Sequence, residues 1–161
     1  MLKVYLSVSV LLLLTISVEA TDCPNGWLAY EGSCYLLGHK TLTFNDAVVF
    51  CSNQSAFVVH VETSMENNFL KYFLQEMNSY DYWIGMTDAV TENQWLWHGT
   101  DSEVEFFDWA PGEPHNLQNN EDCAVFGDTI NEQWADVDCS SKRKPVCELK
   151  ADYVPITEII G

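Results

Sequence analysis

Four of the six acidic side chains in the segment from Trp109 to Asp136 lie among turn-forming residues as candidate ion ligands, and the segment contains no lysine or arginine. The four are Glu113, Glu121, Asp122 and Asp136. Prolines before and after Glu113 exclude a regular helix there and predict a loop with a stiff backbone. Clustered carboxylates repel one another unless a cation joins them, and calcium is a hard cation that takes many oxygen ligands. The segment therefore predicts a calcium site, and the alternative is a solvated acidic loop without a ligand.

The first 20 residues have the pattern of a secretory signal peptide. Lys3 gives a basic start, residues 4–18 are mostly apolar, and Ala20 ends a sequence of small residues where cleavage is expected. An uncleaved membrane anchor is the alternative, but the apolar run is short for a span and lacks a basic stop. No second apolar segment approaches spanning length, so the mature chain is predicted to be secreted and extracellular.

The mature chain contains six cysteines, which are Cys23, Cys34, Cys51, Cys123, Cys139 and Cys147. An even number in a secreted chain predicts three disulfides, for which the sequence alone allows 15 pairings. Each crosslink restricts the unfolded chain and stabilises a small domain by roughly 2–4 kcal/mol. Zinc is a weak alternative, because no two cysteines have the C-x-x-C spacing.

The charge balance excludes one class of partner. The chain has 24 acidic and 7 basic residues, which gives a formal net charge of −17. Nucleic acid is excluded as a partner because binding to its backbone requires a positive face. The negative charge favours cations, cationic partners or mineral surfaces.

Two helices and several short strands are predicted. Thr43 and Thr63 each stand three residues before an acidic residue, as in a helix-capping box. Apolar spacing then predicts a first helix over 43–53 and a second helix with the buried stripe Phe69, Leu70, Phe73, Leu74 and Met77. After an N-terminal hairpin at 23–35, strands are predicted at 56–61, 82–86, 123–126, 133–134 and 145–149. The segment 87–120 is largely irregular, and a loop of this length is usually functional.

Together these features resemble the C-type lectin-like domain family. The resemblance covers Cys23 to Leu149 and rests on the cysteine spacing and on Trp83-Ile84-Gly85-Met86, Glu113-Pro114, Glu121-Asp122-Cys123, Trp134-x-Asp136 and Cys147-Glu148. It implies one domain over 21–149, followed by a C-terminal tail over 150–161. The implied fold is α+β, with two helices flanking small antiparallel sheets and a long calcium- and ligand-binding loop region. The implied disulfides are Cys23–Cys34, Cys51–Cys147 and Cys123–Cys139.

The resemblance also implies a sugar site in which one calcium ion bridges protein and ligand. The corresponding positions are Glu113, His115, Glu121, Ala135 and Asp136, with a cis peptide bond before Pro114. Two of these positions depart from the family pattern. His115 offers an imidazole nitrogen where an amide oxygen is usual, and Ala135 offers no side-chain oxygen.

Further ion positions follow from the same resemblance. An accessory calcium site is implied at Asp88, Glu92, Asn116, Glu121 and Asp122. A third position, which some members of the family have, corresponds to Glu66 and Glu148, although Glu66 is also explained as a helix-capping residue.

The sequence predicts a secreted, calcium-dependent lectin, and the resemblance implies that it recognises glycans in innate immunity. Its single sites are weak, so a noncovalent homo-oligomer is expected to supply avidity. The alternatives are an acidic module that binds mineral, ice or protein without sugar and a calcium-free protein-binding module. An enzyme is not predicted, because carboxylates that share a cation have lowered pKa values, whereas a glycosidase pair needs one protonated acid. Asn53 begins a sequon for N-glycosylation.

Overall fold

The computed structural model describes residues 23–77, 80–100 and 102–150. The predicted signal peptide and the tail from residue 151 onward lie outside these residues. Among the residues described, no helix is long and apolar enough to cross a membrane.

The fold is α+β, as predicted. Its helices are α1 (Phe44–Ser52) and α2 (Ser64–Glu76). Its strands are β1 (Leu28–Tyr30), β2 (Ser33–Leu37), β3 (Phe57–Val58), β4 (Tyr82–Thr87), β5 (Leu96–Trp97), β6 (Cys123–Gly127), β7 (Gln133–Val137) and β8 (Lys144–Lys150). Strand β8 includes Lys150, one residue beyond the predicted domain boundary, and β7 extends three residues beyond its predicted end.

The strands pair in the order β1-β2-β8-β4-β6-β7, with β3 also paired to β8 and β5 to β4. All these pairs are antiparallel except β4 with β8, which the sequence did not predict. Gly85 in β4 is required by packing, because a Cβ atom there would lie 2.1 Å from the Val58 carbonyl oxygen. The three disulfides are the predicted ones, and Cys123–Cys139 and Cys51–Cys147 connect strands β6 and β8 to neighbouring segments.

Both predicted helix caps are present. The side chain of Thr43 accepts a hydrogen bond from the Asp46 amide, and that of Thr63 accepts one from the Glu66 amide. The buried face of α2 contains Leu70 and Leu74, as predicted, but the prediction was wrong for the last residue of the stripe. Met77 is 40% exposed because it is the capping residue just after the last turn of α2.

A buried asparagine connects α2 to the long loop. Asn67 donates a hydrogen bond to Asp108 Oδ2 at 2.8 Å and accepts one from Trp134 Nε1 at 3.0 Å. Lys71 Nζ lies 2.8 Å from the same Asp108 oxygen. These polar contacts fix the loop segment before Trp109 against the helix.

The third implied ion position contains a lysine. Lys150 Nζ donates to Glu148 Oε1 at 2.7 Å, and this buried carboxylate also accepts from Ser33 and the His60 amide. Glu66 accepts from the Tyr35 hydroxyl and the Glu62 amide, so its reciprocal capping bond goes one residue before Thr63. The charge of Glu148 is therefore balanced by the chain itself.

Glu132 is a buried acidic residue outside all the predicted sites. It is 4% exposed, and its Oε2 atom has no hydrogen-bond partner among the described residues. Burial, together with the nearby carboxylates of Asp128 and Asp81, raises the pKa of Glu132 to about 7. Its ionisation therefore opposes folding near neutral pH.

Replacing Glu132 with glutamine should stabilise the fold at pH 8 more than at pH 4. The raised pKa gives wild type a stabilising contribution that is complete below its ordinary value of 4.5 and is lost as the pH rises through about 7. Glutamine is neutral at both pH values, so the advantage of the variant should grow by on the order of 1–3 kcal/mol in urea denaturation. Glu76→Gln, at the exposed end of α2, is the control. A Glu132→Gln advantage that is equal at both pH values would contradict this account.

Candidate functional site

The long loop is attached to β7 immediately before its acidic part. The Trp134 amide donates to the Asp108 carbonyl, and the Ala110 amide donates to the Trp134 carbonyl, both at 2.8 Å. The rings of Trp109 and Trp134 meet edge to face with centroids 6.0 Å apart, and Trp95 packs on Trp109 at 5.0 Å. These contacts place the turn around Glu113 beside the end of β7.

Asp136 fixes the backbone of this turn. Its side chain is 1% exposed, and its two oxygens accept hydrogen bonds from the backbone amides of His115 at 2.9 Å and Asn116 at 2.7 Å. Burial alone would raise the pKa of Asp136, but these donors and the neighbouring groups lower it overall. Asp136 therefore remains ionised and holds the loop in place.

The four predicted sugar-site residues meet at the ring of His115. Its Nδ1 atom lies 3.0 Å from Glu113 Oε2, 3.1 Å from Glu121 Oε2 and 3.2 Å from Asp136 Oδ1. The Glu113–Pro114 peptide bond is cis, as the resemblance implied. The fifth position, Ala135, lies in β7 opposite Val125 and supplies no side-chain oxygen.

The carboxylates of this cluster have unequal proton affinities. Burial, followed by contact with Asp136, raises the pKa of Glu113 to about 7, whereas the pKa of Asp136 is lowered. A hydrogen bond to Asp136 and the surrounding carboxylates raise the pKa of His115. The expectation that a shared cation lowers the carboxylate pKa values stays a prediction. Glu113 Oε2 is buried and receives no aligned hydrogen bond from residues 23–77, 80–100 or 102–150, so the cluster has an unsatisfied acceptor there.

Glu121 is oriented by the loop itself. Its Oε2 atom accepts from the Leu117 amide at 2.6 Å, and its own amide donates to Asn116 Oδ1 at 3.1 Å. The short turn between these residues contains three left-handed positions, which are Asn116, Gln118 and Asn119. The loop thus directs the Glu121 carboxylate towards the ring of His115.

The predicted accessory residues also lie near one another. Asp88 is 4% exposed, its amide donates to the Asp122 carbonyl at 3.2 Å, and Asn116 Nδ2 donates to Glu92 Oε2. Burial, together with Glu92 and Asp122, raises the pKa of Asp88. One of its oxygens, Oδ2, accepts from the Asn93 amide, but Oδ1 is buried and has no hydrogen-bond partner within the part of the chain that the structure describes. This unpartnered oxygen is a site that a cation would satisfy.

Sequence reasoning missed two polar neighbours of the accessory residues. Asp122 also lines a cavity of about 350 Å³ with Asp138 and Asn45, which come from the segment after β7 and from the first turn of α1. No motif connects these positions in the sequence, so only the fold brings them together.

Asn53 of the sequon is exposed at the end of α1.

The two clusters differ in how well they fit calcium. The accessory cluster offers only oxygen atoms, including the unpartnered Asp88 Oδ1, and this donor set fits a hard cation. In the sugar-site cluster, Glu113, Glu121 and Asp136 fit calcium, but the imidazole of His115 does not. His115, which departs from the family pattern, therefore lies at the centre of the cluster.

Asp136 holds the loop in place, whereas Glu113 is a candidate ion ligand. Stability measurements in a calcium chelator should distinguish these two roles. Asp136→Asn should lower the free energy of unfolding by on the order of 1–3 kcal/mol, because an amide has only one acceptor oxygen for the two backbone donors. Glu113→Gln should leave stability unchanged or raise it, because it removes charge from a crowded cluster. Urea denaturation in chelator measures both, and equal losses in the two variants would contradict the assigned roles.

The comparisons with known proteins agree with this architecture. The family model described as "Lectin C-type domain" matches residues 40–149. A perlucin-like protein of Mytilus galloprovincialis is 32% identical over 122 residues, which cover 74% of this chain and 78% of that protein. Asialoglycoprotein receptor 1 of Mus musculus is 37% identical over 140 residues, or 83% of this chain, which spans only about half of the receptor (47%).

A solved structure shows the same fold. The C-type lectin carbohydrate-recognition domain of the mouse scavenger receptor superimposes with a TM-score of 0.76 at 28% identity, covering 81% of this chain and all of that domain. The family model covers well over half of the chain, and the cysteine pairs, the helices and the sheet are those that the resemblance implied. The chain belongs to the C-type lectin domain family.

Proposed function

We propose that this chain is an extracellular lectin that binds carbohydrate through calcium at Glu113, Glu121 and Asp136. The observation that supports it is the convergence of three carboxylates within 3.2 Å of one atom, His115 Nδ1, beside an exposed loop. Such a concentration of negative charge suits a divalent cation. The proposal is a binding function and not an enzymatic one.

The burial of each residue would determine whether it binds only the ion or also the sugar. Calcium takes six to eight oxygen ligands, so three carboxylates leave positions that two vicinal sugar hydroxyls can fill. Asp136 is almost fully buried and holds the loop, whereas Glu113 and Glu121 are 20% and 15% exposed and can also accept hydrogen bonds from a sugar. His115, with a 45% exposed ring, borders the same position.

The proposal includes an accessory calcium at Asp88, Glu92, Asn116, Glu121 and Asp122. Asn116 supports this second ion because it touches both clusters, donating to Glu92 and accepting from the Glu121 amide. An ion here would stiffen the loop that carries the sugar-site ligands. Glycan recognition in innate defence, secretion and a glycan on Asn53 complete the proposal, and they rest on the family and the sequence.

A second candidate function is an acidic module that binds mineral or protein without sugar. Ala135 and His115 favour it, because together they remove two of the oxygen ligands of the usual sugar site. The net charge of −17 also suits a mineral surface or a cationic partner. The two candidates differ in whether a glycan binds.

A glycan array probed with calcium and with chelator tests the proposed function. We expect binding with calcium and none with chelator, at weak single-site affinity that multivalent presentation increases. Glu113→Gln should reduce binding at least 10-fold, while Glu76→Gln should bind like wild type. No glycan binding in either condition, with calcium still raising the melting temperature, would favour the second candidate.

The accessory ion is tested by thermal denaturation with calcium. Calcium that binds only the folded chain raises its stability in proportion to occupancy. We expect Asp88→Asn to reduce the calcium-dependent rise in melting temperature, because it removes the charge that the unpartnered Oδ1 would share with the ion. Glu76→Gln should keep the full rise. An undiminished rise in Asp88→Asn would remove the accessory site from the proposal.

A further inference from the structure

The imidazole at the centre of the sugar-site cluster changes which ion the cluster prefers. We propose that Glu113, His115, Glu121 and Asp136 bind zinc more tightly than calcium, and that bound zinc closes the site to sugar. The second half of this statement rests on the proposed function, whereas the first half does not.

The donor atoms carry the first step. An imidazole nitrogen is a common ligand of zinc and a poor ligand of calcium, and carboxylates bind both ions. His115 points its Nδ1 atom into the cluster, where Glu113, Glu121 and Asp136 contribute an oxygen each. In the neutral ring the proton can then reside on Nε2, which leaves the Nδ1 lone pair free for a metal.

The spacing of these atoms supports the second step. Ligands of a tetrahedral zinc ion with bonds of about 2.0–2.2 Å lie about 3.4 Å from one another. The three distances from Nδ1 to the carboxylate oxygens, 3.0, 3.1 and 3.2 Å, are close to that value. The ligand atoms of Glu113, His115 and Asp136 all lie within 4.8 Å of one another. Glu121 lies outside that group although its Oε2 atom is 3.1 Å from Nδ1, so its carboxylate would have to turn towards Glu113 and Asp136 to complete a four-ligand shell.

The number of ligands explains the effect on sugar. Zinc in a closed site has four ligands, and this cluster can supply all four from the protein. Calcium accepts more ligands than the cluster offers, so it keeps positions for outside hydroxyls. Zinc would therefore occupy the same place as calcium while removing the open positions that a sugar needs.

The accessory cluster provides an internal comparison. Asp88, Glu92, Asn116 and Asp122 offer no nitrogen with a free lone pair, so they should not share the preference for zinc. A preference confined to the sugar-site cluster should therefore follow His115.

Calorimetric titration of the tag-free chain with zinc chloride and, separately, with calcium chloride tests the inference. We expect wild type to bind zinc at least 10-fold more tightly than calcium. His115→Asn, which replaces the imidazole by an amide oxygen, should weaken zinc binding at least 10-fold and leave calcium binding equal or tighter. His98→Asn is the matched control, because His98 and His60 line another cavity where two imidazoles could take zinc.

Three results would overturn the inference. They are zinc binding no tighter than calcium binding in wild type, zinc binding unchanged in His115→Asn, and zinc binding lost in His98→Asn. If calcium-dependent sugar binding is found, adding zinc should abolish it in wild type but not in His115→Asn. Zinc binding without any sugar binding would count against the proposed function alone. Sugar binding without His115-dependent zinc binding would count against this inference alone.

Discussion

The arrangement of the ligand loop depends on the desolvation of one carboxylate. Residues two apart in a strand share a face, so Trp134 and Asp136 of β7 both point to the buried side. An ionised group in that position is costly unless donors surround it, and the donors are the backbone amides of His115 and Asn116. The loop is therefore held beside β7, where its amides donate hydrogen bonds to the buried Asp136 carboxylate.

The same requirement explains why the cluster suits a cation. Because the loop is fixed on Asp136, the side chains of Glu113 and Glu121 both lie against the His115 ring. The His115 ring lies between these carboxylates, and the pKa of Glu113 is raised. Both effects reduce the repulsion between the carboxylates, as a bound metal ion would. Elsewhere the fold resolves a similar problem internally, since the ammonium of Lys150 neutralises the buried Glu148.

Local patterns and the family resemblance predicted much of this structure. Thr43 and Thr63 cap their helices as their spacing indicated, and the cysteines pair as the resemblance implied. Glu113, His115, Glu121 and Asp136 were named together and lie together. These features depend on short motifs or on positions that the family pattern fixes directly.

Other features depend on partners that are distant in the sequence. Asp136 was predicted as an ion ligand, but its bonds to amides 20 and 21 residues earlier follow only from the packing of the loop on β7. The burial of Glu132 and the exposure of Met77 are likewise set by tertiary contacts at the ends of elements. No periodicity in the sequence records such effects.

The N-terminal hairpin has a consequence for how the domain can be used. Cys23 is bonded to Cys34 in β2, and the neighbouring Ser33 pairs with Lys150 at the end of β8, so the first and last described residues are attached to the same hairpin. A domain whose ends emerge side by side can be inserted into a surface loop of an unrelated scaffold, or joined in tandem, without threading linkers across its own surface.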